Sequence, residues 1–134
     1  FLDYPGKGIY LLAVTSNPGS DDLQRRESGG RRIFELVGEF AERAAGEERG
    51  TEVGLVVGLT NAGEDVLAGL PDVPLLIPGL GAQGGDLSVL TGAERQAPNV
   101  VNVSRGVLYG EAGSPGECAT RYAEEIAGAL QQAD

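Results

Sequence analysis

The segment Pro78-Gly79-Leu80-Gly81-Ala82-Gln83-Gly84-Gly85-Asp86 sets four glycines around a single Gln, directly after the apolar run Pro74-Leu75-Leu76-Ile77. Glycine leaves backbone N–H groups uncovered and permits turns with φ > 0, so such a loop can close on an anion. About twenty residues on, Val100-Val101-Asn102-Val103 runs into Ser104-Arg105-Gly106. One strand end thus offers amides and the next a guanidinium, a pairing suited to clamping a phosphate. Thr15-Ser16-Asn17-Pro18-Gly19 closes an earlier apolar run, and Ser16 and Asn17 bring a hydroxyl and an amide able to read the polar edge of a heterocycle.

These groups need strands to carry them, and the chain supplies four strand–helix units. Gly8 to Val14 is a continuous apolar run of strand length. The polar stretch from Ser20 to Gly30 reads as a mobile connection. Ile33, Leu36, Val37, Phe40, Ala41 and Ala44 then recur at helical spacing, which predicts an amphipathic helix over 31–45. The second unit is Val53 to Leu59, followed by a short helix capped by Thr60-Asn61 and running through Val66, Leu67 and Leu70. The third is the Pro74–Ile77 strand, the glycine loop and a weak helix over 87–90. The fourth is Val100–Val103 and a closing helix. Its start is a capping box, Ser114-Pro115-Gly116-Glu117, and its stripe is Ala119, Tyr122, Ala123, Ile126 and Leu130.

Strands joined by crossover helices imply a parallel sheet, expected to be buried on both faces. Units of roughly thirty residues fit either an open doubly wound sheet or part of a (β/α)8 barrel, whose complete form needs about 250 residues. In barrels a phosphate site commonly follows the seventh and eighth strands. The third and fourth strands here match those positions if the chain is the second half.

Composition removes other classes. A net charge of −10 argues against nucleic acid or anionic membrane as partner, and leaves a phosphorylated ligand dependent on local positive charge such as Arg105. No apolar run is long enough to span a bilayer. With no His and a lone Cys118, read as a packing residue, neither a Ser-His-Asp triad nor a usual zinc site is available, and no metal or cofactor is expected. The single thiol fits a reduced, cytoplasmic setting. Lys7, the only lysine, precedes the first strand and is expected on the opposite rim. Gly79-x-Gly81-x-x-Gly84 formally matches a dinucleotide fingerprint. It lacks the acidic residue after the next strand, where Arg105 could instead accommodate a 2′-phosphate, so an NADP-binding Rossmann-like domain stays open.

Taken together, Thr15-Ser16-Asn17-Pro18-Gly19, Ile77 to Asp86 and Asn102-Val103-Ser104-Arg105-Gly106-Val107-Leu108 resemble the orotidine 5′-phosphate decarboxylase family, in its bacterial branch with a Ser-Asn-Pro motif. Val57-Gly58-Leu59-Thr60 lies between them at the expected strand end. The resemblance covers nearly all of residues 1–134 as one segment, the C-terminal half of a TIM barrel with the N-terminal half absent. It implies cofactor-free conversion of orotidine monophosphate to uridine monophosphate and CO2 in pyrimidine biosynthesis. By motif position Ser16 would bond the pyrimidine edge, with Asn17 and Pro18 completing that motif. Gln83 would bridge base and phosphate. Arg105 would hold the phosphate, helped by amides around Gly84, Gly85, Ser104 and Gly106, and Pro78 and Leu80 would line the wall near the departing carboxylate.

The family's Asp/Lys motif, which protonates the substrate, has no counterpart here. Asp3 and Lys7 are separated by Pro5-Gly6 and have the wrong spacing. No catalytic residue is therefore assigned to this chain, which is expected to be inactive alone. The missing half or a second chain would be its partner, within a homodimer for the full enzyme. The competing reading is a non-catalytic nucleotide-binding or self-associating half-barrel, and half a closed sheet is expected to expose two edges and an apolar interior face that would pair with something.

Overall fold

A computed structural model describes residues 2–47, 50–61, 63–80, 87–91, 95–110 and 113–131. Gln83, Gly84 and Gly85 of the glycine loop lie outside these residues. Six strands and six α-helices occur among them: β1 (Lys7–Val14), α1 (Ser20–Leu23), β2 (Glu27–Ser28), β3 (Arg31–Arg32), α2 (Ile33–Gly46), β4 (Thr51–Val57), α3 (Glu64–Ala68), β5 (Leu75–Pro78), α4 (Ser88–Thr91), β6 (Asn99–Asn102), α5 (Arg105–Leu108) and α6 (Pro115–Gln131). A 3-10 turn, Leu59–Asn61, precedes α3.

The main sheet has the order β1-β4-β5-β6, with every neighbouring pair parallel. The strands are added in one direction without reversal. Right-handed crossovers then place the connecting helices on one side of the sheet. A doubly wound sheet needs a reversal of strand order, so this topology turns the Rossmann-like alternative aside. What is left is the strand order of a barrel segment, with β1 and β6 at its edges.

Burial follows from that one-sidedness. On the covered face Ala13, Val53, Leu55, Val57, Leu75 and Ile77 are sealed, together with Phe34, Ala41 and Ala44 of α2, which packs on β1 and β4. On the other face the register aligns Leu12, Val56, Leu76 and Val100 in one row across the four strands. Leu12 is 54% exposed and Val100 49%. Tyr10 lies on the same face over Gly54, and is also exposed. Burial on both faces is thus not met within this chain: among the described residues one apolar face is partly open, as the half-barrel reading expects.

Three local expectations also change. The Ser20–Gly30 connection is ordered, as α1 followed by the β2–β3 hairpin, whose Gly29 and Gly30 take φ of 63° and 79°. Those angles suit a two-residue hairpin turn and are costly for other residues, so Gly-Gly was the available signal. The stripe of α6 is met in part, at Tyr122 and Ile126. Cys118 is buried, and Tyr122, Ile126 and Ala129 pack on the core, while Ala119 and Ala123 are exposed. Positions 118, 122, 126 and 129 share one helix face, which apolar character alone did not reveal among so many alanines. Thr60-Asn61 does not cap α3, whose N-cap is Gly63. The capping box of α6 does form. The Ser114 N–H donates to Glu117 Oε2 at 2.7 Å, and the Glu117 N–H reaches Ser114 Oγ at 3.4 Å.

Several carboxylates are held by such donors. The Ser114 N–H lowers the pKa of Glu117, and the Arg32 N–H lowers that of Glu35. The Gln96 and Ala97 N–H groups do the same for Asp72. Burial pushes Asp65 up, but Arg32 and Arg25 outweigh it and the net direction is down. Each group binds its proton more weakly folded than unfolded. Their contribution is therefore complete above the unfolded carboxylate range, about pH 4, and is lost as pH falls through the lower folded values. The expected result is a melting temperature that is flat near neutrality and drops below about pH 4.5. Calorimetry across a pH series checks it, and a melting temperature that rises on acidification contradicts it.

Candidate nucleotide-binding rim

All four main strands point the same way, so Val14, Val57, Pro78 and Asn102 end at one rim. The Thr15–Pro18 turn, the Gly58–Asn61 turn, the start of the glycine loop and the Ser104–Gly106 turn consequently lie along one rim of the sheet. Lys7 opens β1 at the other end, seven residues below Val14, a distance of roughly 23 Å at strand rise.

Ser16 is half-buried, and Asn17 and Pro18 are exposed. The Gly58 N–H donates to Val14 O at 2.8 Å, which draws the two turns together. A methyl group at residue 58 would fall on Ser16 Oγ and lie 2.5 Å from Ser16 N. Gly58 is therefore space left for the Ser16 turn. Gly58→Ala is expected to cost about 1–3 kcal/mol through overpacking and to displace Ser16. Urea unfolding with a structure of the variant tests this; an unmoved Ser16 and unchanged stability would refute it.

Asn61 is the residue that sequence reading placed in the wrong role. Its amide nitrogen lies 2.8 Å from Thr15 O, 3.0 Å from Asn17 O and 3.0 Å from Ser20 Oγ. Thr15 Oγ1 donates to Gln24 Oε1 at 3.1 Å, tying the same turn to the chain just beyond α1. Behind them, Arg25 donates to Asn61 O at 2.8 Å and to Asp65 at 3.1 Å, and Arg32 reaches Asp65 at 2.7 Å. Adjacency to a strand end was the only sequence signal for Asn61.

Pro78 ends β5 half-buried, in register with Asn102 of β6 on the bare face. Leu80 is 6% exposed and packs in the core. Ser104 caps α5, and its carbonyl accepts the N–H groups of Val107 and Leu108. Asn102 donates to Ser104 Oγ at 3.2 Å. Arg105 is the first residue of α5, a helix that sequence reading did not foresee. It is exposed, and among the described residues no carboxylate pairs with it. By contrast Arg25, Arg31, Arg32 and Arg95 each have a carboxylate partner. Gly106 faces Tyr122 of α6, whose ring carbon Cζ would lie 2.8 Å from an added methyl group. The turn carrying Arg105 is thus backed by α6.

A one-directional parallel βα sheet with open edges, a bare inner face and polar turns gathered at the strand ends defines a half-barrel of the TIM class. No protein-family model matches the chain. Curated relatives do. Orotidine 5′-phosphate decarboxylase of Dechloromonas aromatica (strain RCB) is 44% identical over 115 residues, covering 81% of this chain and 42% of that protein. The same enzyme of Paracidovorax citrulli (strain AAC00-1) is 44% identical over 134 residues, covering 93% and 48%. Among solved structures, Leishmania donovani OMP decarboxylase superposes with a TM-score of 0.77 at 35% identity, over 97% of this chain and 51% of that one. The chain belongs to the orotidine 5′-phosphate decarboxylase family, and it spans about half the length of the curated relatives it matches. Among the described residues no helix is long and apolar enough to cross a membrane, and no cluster of metal-ligating side chains occurs.

Proposed function

We propose that this chain is the C-terminal, phosphate- and base-binding half of an orotidine 5′-phosphate decarboxylase. The whole protein would convert orotidine monophosphate to uridine monophosphate and CO2. The observation that carries the proposal is the placement, on the one rim where β5 ends, of the Ser16 turn and of an Arg105 that no carboxylate among the described residues pairs.

In this reading Ser16 bonds the pyrimidine edge, with Asn17 and Pro18 shaping its turn. Arg105 and the amides around Ser104 and Gly106 take the phosphate. Gln83, Gly84 and Gly85, which lie outside the described residues, are assigned to the same phosphate by motif position alone. Phosphate contacts far from the reacting carbon supply binding energy that helps stabilise the carbanion-like transition state. The carboxylate leaves with its bond electrons remaining on the pyrimidine, and a proton must then reach that carbon. No residue at this rim is assigned to deliver it. The proton donor and its carboxylate partners belong to the other half of the barrel, which would also cover Tyr10, Leu12 and Val100. A homodimer in the cytoplasm is the expected setting of the complete enzyme. The test is decarboxylation by this chain joined to the N-terminal half of a relative; a joined, folded protein that binds uridine monophosphate but never releases CO2 would refute the enzymatic reading.

A further inference from the structure

We infer that Asn61 is a positioning residue for base recognition, holding the turn on which Ser16 is presented. The inference rests on the reading of Ser16 as the base-bonding group. It concerns a different residue, on the turn after a different strand, whose side chain bonds the Ser16 turn.

The argument is geometric. Ser16 lies between two carbonyls, Thr15 O and Asn17 O, that both point to the Asn61 amide nitrogen at 2.8 and 3.0 Å. Ser20 Oγ, on a residue 1% exposed, stands 3.0 Å from the same atom. Three surrounding oxygens identify that end of the amide as the nitrogen, which donates and cannot accept. Asn61 is itself held: its N–H donates to Gly58 O at 3.1 Å, and its carbonyl accepts from Arg25 at 2.8 Å. One side chain thus fixes the Thr15–Ser16 and Asn17–Pro18 peptide planes, which bracket the Ser16–Asn17 unit, and refers them to the turn after β4. The Ser16 hydroxyl can then meet a heterocycle with little reorganisation, which is what raises affinity when the groups themselves are weak.

Asn61→Asp tests this with almost no change of shape. It removes the donor and sets a carboxylate oxygen against carbonyl oxygens. In this chain joined to the N-terminal half of a relative, calorimetry would compare uridine 5′-monophosphate with ribose 5-phosphate, which has the phosphate but no base. Asn61→Asp should weaken uridine monophosphate about tenfold and ribose 5-phosphate less than twofold. Asn61→Ala, which adds no charge, should give the same split at smaller size. In a Ser16→Ala background Asn61→Asp should add little, because the two residues act as one unit. Equal losses for both ligands, an unchanged affinity for uridine monophosphate, or full additivity with Ser16→Ala would each overturn the assignment to Asn61. An unsubstituted protein that binds ribose 5-phosphate as tightly as uridine monophosphate would instead overturn base recognition by Ser16, and the role of Asn61 with it.

Discussion

The isolated 134-residue chain is expected to release no CO2 from orotidine monophosphate, while the same chain joined to the N-terminal half of a relative does so. The rim carries hydrogen-bonding groups and a guanidinium, which bind and orient. Arginine does not give up its proton near neutral pH, and a serine hydroxyl or carboxamide is too weak an acid to protonate a developing carbanion. The one lysine, Lys7, lies at the far end of β1, roughly 23 Å away by strand rise. A positioned proton donor alone contributes about 10²–10⁴-fold to a rate, and the barrel interior that excludes water is half open here. The isolated chain should therefore fall at least about 10⁴-fold below the joined protein, measured as labelled CO2 released at saturating substrate. Turnover within tenfold of the joined form would show that this half contains the proton donor after all.

Arg105→Ala in the joined protein should weaken uridine monophosphate about 10- to 100-fold and leave uridine within twofold. Hydrogen bonds to a charged group are worth about 1.5–3 kcal/mol, which converts to that range. The chain's net charge of −10 repels a phosphate dianion at long range, so little else at this rim can substitute. Unlike Arg25 and Arg32, which are held by Asp65 and Glu35, Arg105 has no carboxylate partner among the described residues to leave before it binds. Arg105→Lys should recover part of the loss, keeping the charge without the planar fork. The affinity for uridine monophosphate should also fall with added salt, and that slope should shrink in Arg105→Ala. Equal losses of nucleotide and nucleoside would remove Arg105 from the phosphate.

The parts of this molecule that were legible in its sequence are those whose causes lie within a few residues. Apolar runs marked β1, β4, β5 and β6. The Ser114–Glu117 box marked the start of α6, because donor and acceptor are three positions apart. The Ser16 and Arg105 turns were found because each directly follows a strand, and strands in βα repeats end on one side.

What tertiary structure alone decided depends on register and on the direction in which strands are added. Asn61 bonds across 46 and 44 positions, which no local pattern records. Gly58 resembles any strand-end glycine until β1 and β4 are aligned and Ser16 is seen to occupy its missing side chain. The bare face follows from the order β1-β4-β5-β6: crossovers of one hand, taken in one direction, leave the second side of the sheet without helices. Which hydrogen bonds join distant turns, and which apolar surface remains open, are settled only when the strands are laid side by side.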